Sequence, residues 1–576
     1  MFRAFTHLAI TLALSTVGAG CSPATGTIGG VTGESHGRAV ATPSPATSPG
    51  PGGPGDTPRG PGDPPGTNTG GTGAPEAAGN ATVAENAKPG DPLWRGNRTG
   101  GEHEIEGFAD RVSVLPGETF HLYVSTTADS YTARAFRVGW YGGDGARKVW
   151  ESEELPGIKQ ASPKVVPGTR TVTAAHWKQG PAIDTAGWPE GSYLIRLDAK
   201  TGAKRFVPIT VRSASTQGRV VVVNAVTTWQ AYNLWGGRSL YLGPGGFEDR
   251  SYAVSFDRPY DTSGARIFLD LERDGIEVAE HSGVPLAYIT SLELENDPHI
   301  LDGAKGFVSL GHDEYWSVHM RRNVEAARDH GTNLAFLGAN AVYWRIRFAA
   351  TSMGPDRLVI CHKNGRLDPS TDRWRVTEPE SALTGPMYTC FPAEAVYVVH
   401  NPDNWIFEGT GVRRGTTFPG LAGVETDEVL SSMPRPRPME ILSVSPVDCS
   451  GRPTTAHTTY YTAPSGAGVF ASGTMRWVCA MRGSNCGHGV TDQAALFVRR
   501  ATTNILRAFA KGPAALEHPA KDNLESLGLG GPLHATAPDR HMEGRPTKRL
   551  SDRPERPVRN RPAHHPGNRS PKHRRM

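Results

Sequence analysis

The sequence predicts an α/β protein in which a β-sandwich-like domain over residues 93–213 precedes an α/β domain with a mostly parallel sheet over residues 214–512. Short β-rich runs separated by turn residues indicate the first domain. Strands that alternate with helices indicate the second, because such alternation builds parallel sheets. Segments poor in large apolar side chains flank both domains, and we expect these segments to be disordered.

Residues 1–20 have the features of a secretory signal peptide. The segment begins with a single Arg3, continues through an apolar run from Leu8 to Val17 and ends in small residues. Such a run is too short to span a bilayer as a helix. The small residues before Cys21 also resemble a lipoprotein cleavage site. We therefore expect an extracytoplasmic protein, either secreted or anchored through a lipid at Cys21, with no other attachment to a membrane.

Two further segments lack the composition of a folded core. Residues 21–92 are rich in Gly, Pro, Thr and Ser and are predicted to form a disordered tether. Residues 513–576 have no sustained apolar period and are predicted to form a disordered basic tail. A match to the serine-hydrolase elbow lies in the tether at Gly33–Gly37, but that motif needs a strand before it and a helix after it. We therefore predict no serine-hydrolase site.

The charge is unevenly distributed along the chain. Residues 540–576 contain 12 Lys and Arg against 3 Asp and Glu, a balance of +9. Because the whole chain carries +4, the remainder carries −5. A slightly acidic folded part gives no electrostatic reason to bind nucleic acid, and we expect no nucleic-acid partner.

The cysteines are expected to form disulfides if the protein is exported. Five of the six follow Cys21. Cys479 and Cys486 are close enough in sequence to pair, and Cys361 with Cys390 is a second candidate pair. Sequence alone does not settle the connectivity, so other pairings stay open. No cysteine spacing suggests a zinc site.

The first folded region consists of strand-like runs at the spacing typical of a β-sandwich. Pro, Gly and Asp turns separate these runs, and a glycine-flanked aromatic pair in Gly139–Gly143 is interpreted as a tight turn held against a core. The runs are Arg111–Leu115, Thr119–Ser125, Arg134–Gly139, Ser192–Asp198 and Arg205–Arg212.

From Gly218 onwards, strand candidates alternate with helix candidates. Ala265–Asp274 has helical spacing of its apolar residues. Ser317–His330 begins with a Ser that can cap a helix and is followed by Gly331. Thr491–Lys511 has the apolar period of a closing helix. These patterns favour strand–helix–strand units.

Three strand candidates of the α/β region release polar residues at their carboxyl ends, which is the edge where open α/β sheets bind ligands. In one of them, His312 titrates near neutral pH and Glu314 is a hard oxygen ligand or a base. On spacing alone, the alternative is a loop whose His and Glu only satisfy backbone groups. The three strand-and-loop segments are Arg219–Asn233, Gly306–Trp316 and Asn333–Asn340.

Several stretches, in sequence order, resemble the large-subunit family of N,N-dimethylformamidase. The resemblance extends over about residues 93–512. It implies a glutamine-amidotransferase-like α/β domain after the β-rich domain, and a hydrolase that acts on an amide-like C–N bond. The stretches are Ile105–Ala109, Gly139–Gly143, Trp229–Gly237, His312–Trp316, Gly338–Trp344 and Thr502–Asn504.

The resemblance also implies a mononuclear ferric iron held by two tyrosinates and one glutamate. Carried onto this sequence, the glutamate is Glu314 and the tyrosines are Tyr232 and Tyr193. His312 and Asn340 are the implied catalytic residues. Phenolate and carboxylate are hard donors that suit ferric iron, and such a metal polarises a carbonyl or lowers the pKa of bound water.

The family pattern includes one more acidic residue, expected before the Gly466–Phe470 turn, where Tyr460–Thr462 stand instead. The predicted function is an exported, metal-dependent hydrolase of an amide-like bond in a small-molecule or amide-containing substrate. The alternative is a non-catalytic cell-envelope binding or structural protein that keeps the fold. Glu314 and Tyr232 favour the enzyme, whereas the long tether and the missing acid keep the alternative open.

Overall fold

The computed structural model describes residues 80–96 and 99–531, and it has the mixed α/β class that the sequence predicts, with many strands in several sheets and few helices. The predicted signal peptide, Cys21 and the Gly33–Gly37 match lie outside the described residues. None of the helices within the described ranges has the length and apolar character needed to span a bilayer. Residues 80–92 and 513–531, assigned by prediction to the tether and the tail, lie in the folded part.

Between residues 80 and 213, the described residues form one short α-helix and eleven strands. One sheet has the strand order β1-β3-β9, a second has the order β2-β11-β10-β4-β5 with β6 beside β4, and β7 pairs with β8. Apolar side chains from the first two sheets meet in one buried core. The elements are α1 Ala81–Asn86, β1 Ile105–Ala109, β2 Ser113–Val114, β3 Thr119–Thr126, β4 Ser130–Val138, β5 Ala146–Glu151, β6 Leu155–Pro156, β7 Lys164–Val166, β8 Thr171–Thr173, β9 Ala182–Asp184, β10 Gly191–Ala199 and β11 Lys204–Val211.

Helix α1 is tied to the turn after β4 by buried polar contacts. The Glu85 carboxylate accepts hydrogen bonds from the Tyr141 hydroxyl at 2.9 Å and from Arg147 Nε at 2.8 Å. The Asn86 side-chain oxygen accepts from the backbone N–H of Trp140 at 2.7 Å. The glycine-flanked aromatic pair is thus a turn held against α1 and the core.

The middle region alternates strands with helices. The predicted helix Ala265–Asp274 is two helices, because the backbone leaves helical geometry at Glu272. The predicted cap of the next long helix is confirmed, since Ser317 Oγ accepts from the Met320 backbone N–H at 3.1 Å. The elements are β12 Val220–Asn224, α2 Val226–Tyr232, β13 Ala253–Ser255, α3 Arg266–Leu271, α4 Arg273–His281, β14 Leu286–Thr290, α5 Ser291–Asn296, β15 Gly306–Gly311, β16 Tyr315–Ser317, α6 Val318–Asp329, β17 Asn333–Gly338, β18 Trp344–Thr351 and β19 Gly354–Ile360.

The C-terminal region consists mainly of long antiparallel strands and one long helix. The predicted closing helix is confirmed, and Thr491 Oγ1 caps it by accepting from the Ala494 backbone N–H at 3.2 Å. The elements are α7 Ser381–Thr384, β20 Met387–Val398, β21 Thr417–Glu428, β22 Met439–Asp448, β23 Pro453–Thr462, β24 Gly468–Ala471 and α8 Asp492–Lys511.

A seven-stranded sheet forms the centre of the molecule, with the order β14-β12-β15-β17-β24-β23-β22. The first five strands pair in parallel and the last two pair antiparallel. The sheet is buried on both faces, by one apolar cluster that includes Phe509 of α8 and by another that includes Met320 of α6. Because β12, β15 and β17 are adjacent and parallel, the loops that follow them leave the sheet at one edge.

Two disulfides link described residues. Cys479 pairs with Cys486, as predicted. The second predicted pair is wrong, because Cys390 on β20 pairs with Cys449 just after β22, at a Cα–Cα distance of 5.5 Å. Cys361, which follows β19, is buried and unpaired. The contact between β20 and β22 brings Cys390 to Cys449, and this pairing of distant strands has no local signature in the sequence.

Candidate functional site

Four polar side chains meet at the carboxyl edge of the central sheet. The Tyr232 hydroxyl donates to Glu314 Oε2 at 2.7 Å, and the Tyr241 hydroxyl donates to Glu314 Oε1 at 2.7 Å. The two hydroxyl oxygens lie 3.2 Å apart. His312 Nε2 lies 2.8 Å from the Tyr232 hydroxyl and 3.2 Å from Glu314 Oε2. We call Tyr232, Tyr241, His312 and Glu314 the tyrosine–carboxylate cluster.

Glu314 is held by its backbone as well as by its side chain. Its N–H donates to Thr228 Oγ1 on α2 at 3.1 Å. Its carbonyl accepts from the backbone N–H groups of Tyr343 and Trp344, at 3.0 and 2.9 Å. The carboxylate itself is buried. Glu314 is therefore fixed from three directions, which is what a preorganised ligand or catalytic group requires.

Two glycines allow the strand ends to approach closely enough to build this site. Gly311 ends β15 with a φ of 59°, and a Cβ atom there would lie 2.2 Å from the Leu271 carbonyl oxygen. A Cβ atom at Gly338, the end of β17, would lie 1.5 Å from the Gly311 carbonyl oxygen. Only glycine fits at these two positions, and the loops carrying His312 and Asn340 leave the sheet directly after them.

Asn340 lies beside the cluster in a left-handed backbone conformation, with a φ of 58°. Asn tolerates this conformation better than most residues. Its side-chain Nδ2 donates to Glu314 Oε1 at 3.4 Å, and its backbone N–H donates to Asp427 Oδ1 at 2.9 Å. No hydrogen-bond partner among the described residues meets its buried Oδ1. The backbone thus anchors Asn340, and its side-chain Oδ1 is free to accept a hydrogen bond within the site.

Glu425 on β21 is a second carboxyl group next to His312. Its Oε2 lies 3.6 Å from His312 Nδ1, on the side of the ring away from Glu314. Glu425 and Asp427 are two residues apart on one strand, so both face the same side of the sheet. The carboxyl group beside His312 thus comes from β21, whereas Tyr460–Thr462 contain no acidic residue.

Burial and mutual charge perturb the pKa values of these groups. Burial lowers the pKa of His312, but the Glu425 and Glu314 carboxylates outweigh burial and raise it to about 9. Burial raises the pKa of Glu425 to about 7, against the opposing effect of His312. Burial acts to raise the pKa of Glu314 as well, but the hydrogen bond and charge of His312 hold it below its usual value. His312 therefore holds a proton between two carboxyl groups.

The pKa values of the two tyrosines of the cluster are raised, whereas binding of a phenolate to a metal ion corresponds to a lowered pKa. Burial, and then the Glu314 charge, raise the pKa of Tyr232 and of Tyr241 well above the usual range. Without a cation between them, both phenols therefore keep their protons and donate to Glu314.

Lys363 adds a buried amine next to the cluster. Its Nζ lies 3.0 Å from the centroid of the Tyr241 ring and 4.8 Å from that of Trp344. No hydrogen-bond partner within the described ranges reaches this Nζ. Burial lowers its pKa to about 7, although the Glu314 charge acts in the opposite direction.

The structure brings together Tyr232, His312, Glu314 and Asn340, as predicted from three strand ends, and it places Tyr193 elsewhere. Tyr193 is on β10, where its hydroxyl donates to the Pro189 carbonyl at 2.6 Å and its ring stacks on Trp188 at 5.2 Å. It belongs to the core between the N-terminal sheets. This packing removes Tyr193 from the predicted ligand set, and Tyr241 stands in its place beside Glu314.

Sequence reasoning missed Tyr241, Glu425 and Lys363. Tyr241 lies in an irregular loop after α2, Lys363 lies just after β19, and Glu425 lies within the long antiparallel strand β21. None of them follows a strand of the predicted parallel set. No local pattern in β21 indicates that its acidic residues reach the sheet edge.

Among the described residues, no three side chains of the types His, Cys, Asp and Glu are placed to share a metal ion. The tyrosine–carboxylate cluster instead offers two phenolic oxygens and one carboxylate. The structure thus presents an oxygen-rich donor set with one adjacent imidazole.

Comparison with known proteins identifies the family. The model of the family described as N,N-dimethylformamidase beta subunit-like, C-terminal, matches residues 132–491, which include every residue of the cluster. No curated protein sequence matches the chain. The structure of a Paenibacillus sp. cycloisomaltooligosaccharide glucanotransferase complexed with cycloisomaltoheptaose is similar at 7% identity and a TM-score of 0.15, over 51% of this chain and 61% of that enzyme's length. A likeness this small carries no argument. The family match spans most of the chain, which therefore belongs to the N,N-dimethylformamidase beta subunit-like family.

Proposed function

We propose that the protein hydrolyses an amide-like C–N bond other than a peptide bond, with one ferric iron held by Tyr232, Tyr241 and Glu314. The observation that carries this proposal is the convergence of two tyrosine hydroxyls on the two oxygens of one buried carboxylate. Membership of a family named after an amide hydrolase supports it.

The spacing of the donor atoms fits a shared ion. Oxygens that bind one ion at about 2 Å, with angles between 90° and the tetrahedral value, lie roughly 2.8 to 3.3 Å apart. The observed separations are 2.7 Å for each tyrosine to Glu314 and 3.2 Å between the two tyrosines. Small shifts of these three side chains, which are already in contact, would therefore suffice for all of them to bind one ion.

The charges of the donor set also fit ferric iron. Two phenolates and one carboxylate carry three negative charges, which a buried site cannot hold without compensation. The raised pKa values of Tyr232 and Tyr241 express this cost in the absence of a cation. A trivalent hard cation offsets the three charges and accounts for tyrosines in place of softer ligands. When bound, the iron would polarise the substrate carbonyl or lower the pKa of a water molecule.

The remaining groups have roles that follow from their positions. Asn340 Nδ2 is placed to donate to the carbonyl oxygen of a bound amide as negative charge develops there. His312 holds a proton at Nε2, on the side of the cluster, and can deliver it to the departing amine nitrogen. Glu425, beside Nδ1, orients the imidazole and stabilises its charged form.

We also propose that the protein acts outside the cytoplasm. Two disulfides among the described residues support this location, because such bonds persist in oxidising compartments. Lipid attachment at Cys21 stays a prediction.

The activity is tested by following amine release from a series of small N-substituted amides. We expect turnover by the iron-loaded protein, and a fall of at least about 100-fold in kcat for Glu425→Gln with iron retained. Glu428→Gln, on the same strand but bonded to Thr454, is the matched control and should keep full activity. Iron-loaded protein that releases no amine from any amide of the series would favour the non-catalytic alternative.

A further inference from the structure

A cavity of about 490 Å³ adjoins the tyrosine–carboxylate cluster. Its wall is attached to the cluster directly, because Tyr343 and Trp344 donate their backbone N–H groups to the Glu314 carbonyl. Lys363, with its Nζ over the Tyr241 ring, lies between the cavity and the cluster. We call this space the basic cavity. Its lining includes Tyr343, Trp344, Lys363, Arg366, Asp372 and Arg373.

Two basic side chains of the basic cavity, Lys363 and Arg366, have no ion-pair partner among the described residues. Asp372 is the one carboxylate of the lining, and its Oδ1 lies 3.6 Å from Arg373 Nε, so this pair offsets itself. Arg366 is exposed, and no ion pair within the described part of the chain involves its guanidinium. Lys363 Nζ is sealed from solvent without a hydrogen-bond partner among the described residues.

Unmatched cations beside a site suggest an anionic partner. Burying an amine without a hydrogen-bond partner is unfavourable, and a neutral amide would leave the Lys363 amine in that state. A neutral amide would also give the exposed Arg366 guanidinium no anionic partner. A guanidinium binds a carboxylate with two parallel hydrogen bonds, which sets orientation as well as affinity. The aromatic rings of Tyr343 and Trp344 offer an apolar wall for the chain that links the carboxylate to the amide. The volume lies within the range of about 300 to 1,000 Å³ typical of small-molecule sites.

Resting on the proposed function, we infer that the substrate is a carboxylate-bearing amide whose acid group binds Arg366 in the basic cavity. The cavity wall then directs the amide group towards Glu314 and Asn340. Lys363 supplies a second positive charge between the carboxylate and the reacting bond. Arg366 is thus a specificity-determining residue, since it binds the part of the substrate that does not react.

Binding of two matched ketones to the full-length, iron-loaded protein tests this inference by calorimetry. 4-Oxopentanoate and 2-pentanone share one carbon chain and differ in a terminal carboxylate or methyl group. Neither contains a C–N bond, so neither is hydrolysed. We expect 4-oxopentanoate to bind at least 10-fold more tightly than 2-pentanone, and Arg366→Gln to remove that preference without changing iron content or the binding of 2-pentanone.

Arg347→Gln is the matched control, because Arg347 is partly exposed, pairs with Asp368 at 3.0 Å and does not line the cavity. It should keep the preference for 4-oxopentanoate. Equal binding of the two ketones, no measurable binding of 4-oxopentanoate, or an unchanged preference in Arg366→Gln would overturn the inference. The last result would mean that the carboxylate binds the metal or Lys363 and not Arg366. A protein that takes up no iron but keeps an Arg366-dependent preference would instead refute the iron proposal and support the anion site.

Discussion

The Tyr241 hydroxyl and Glu314 Oε1 lie 2.7 Å apart, although 73 residues separate them in the chain. Tyr241 comes from an irregular loop and Glu314 from the turn after β15, and Tyr232 approaches the second oxygen of the same carboxylate. Each oxygen of the Glu314 carboxylate therefore lies beside a tyrosine oxygen that could also bind a metal ion. This arrangement is the observation from which we propose a hard cation at the sheet edge.

Replacing the two candidate tyrosines separately tests the corrected ligand set. Tyr241→Phe removes an oxygen that contacts Glu314, and we expect iron content to fall at least about 10-fold. Tyr193→Phe loses only the hydrogen bond to the Pro189 carbonyl, which costs about 1 kcal/mol of stability. Measurements of iron content and thermal melting in both variants show which of the two tyrosines binds iron. Loss of iron from Tyr193→Phe together with retention in Tyr241→Phe would reverse the assignment.

Asn340→Gly separates the role of the amide from that of the backbone. Glycine accepts the φ of 58° and keeps the N–H that donates to Asp427, so we expect the fold and the iron to remain. Loss of a donor to a developing oxyanion lowers kcat by roughly 10² to 10³. Steady-state kinetics with iron quantification measures both effects. Full activity in this variant would show that Asn340 contributes nothing to the reaction.

His457 makes stability depend on pH. Its buried Nδ1 accepts from the Val429 backbone N–H at 3.1 Å, and burial, aided by the charge of His400, lowers its pKa to about 4. The unfolded chain takes up this proton near pH 6.5 and the folded chain only near pH 4. The contribution of neutral His457 to the free energy of unfolding is therefore complete above pH 6.5. It is lost as the pH falls towards 4, by about 3 kcal/mol in total.

Denaturant unfolding at pH 7 and pH 4.5 checks this expectation. His457→Asn keeps an acceptor near the Nδ1 position and cannot be protonated, so the difference in unfolding free energy between the two pH values should shrink by about 2 to 3 kcal/mol. His299→Asn, at an exposed position, should leave that difference unchanged. An equal difference in wild type and His457→Asn would contradict the argument.

Helix α1 should contribute to stability, because its polar side chains are buried against α4 and the turn after β4. A chain beginning at residue 93 lacks Glu85 and Asn86, so Arg147 and the Tyr141 hydroxyl lose their acceptor Glu85, and the Trp140 N–H loses its acceptor Asn86. Compared with a chain beginning at residue 80, we expect its Tm to be lower by roughly 3 to 8 °C. Thermal melting of the two truncated proteins compares them directly, and identical Tm values would show that α1 is dispensable.

Much of the central sheet could be predicted because its elements have strong local patterns. β12, β15 and β17 are apolar runs that end at polar residues, and α6 and α8 begin at capping residues. Since the carboxyl ends of neighbouring parallel strands lie at one edge, the meeting of Tyr232, Glu314 and Asn340 follows from these patterns.

The rest of the site depends on contacts between distant segments, which local patterns do not report. Glu425 reaches His312 because β21 crosses the sheet edge, and no periodicity in β21 indicates that position. Tyr241 and Lys363 lie in loops placed by tertiary packing. The family resemblance implies Tyr193 as a ligand, but its ring is part of an apolar core and its hydroxyl already has a partner.

Metal analysis and a visible spectrum of the purified full-length protein show whether Tyr232, Tyr241 and Glu314 together hold one iron. We expect about one iron per chain and an absorption band from charge transfer between tyrosinate and ferric iron, with both lost in Glu314→Gln while the fold is kept. Colourless protein that contains no iron after expression and purification in iron-supplemented medium would show that these three residues hold no iron.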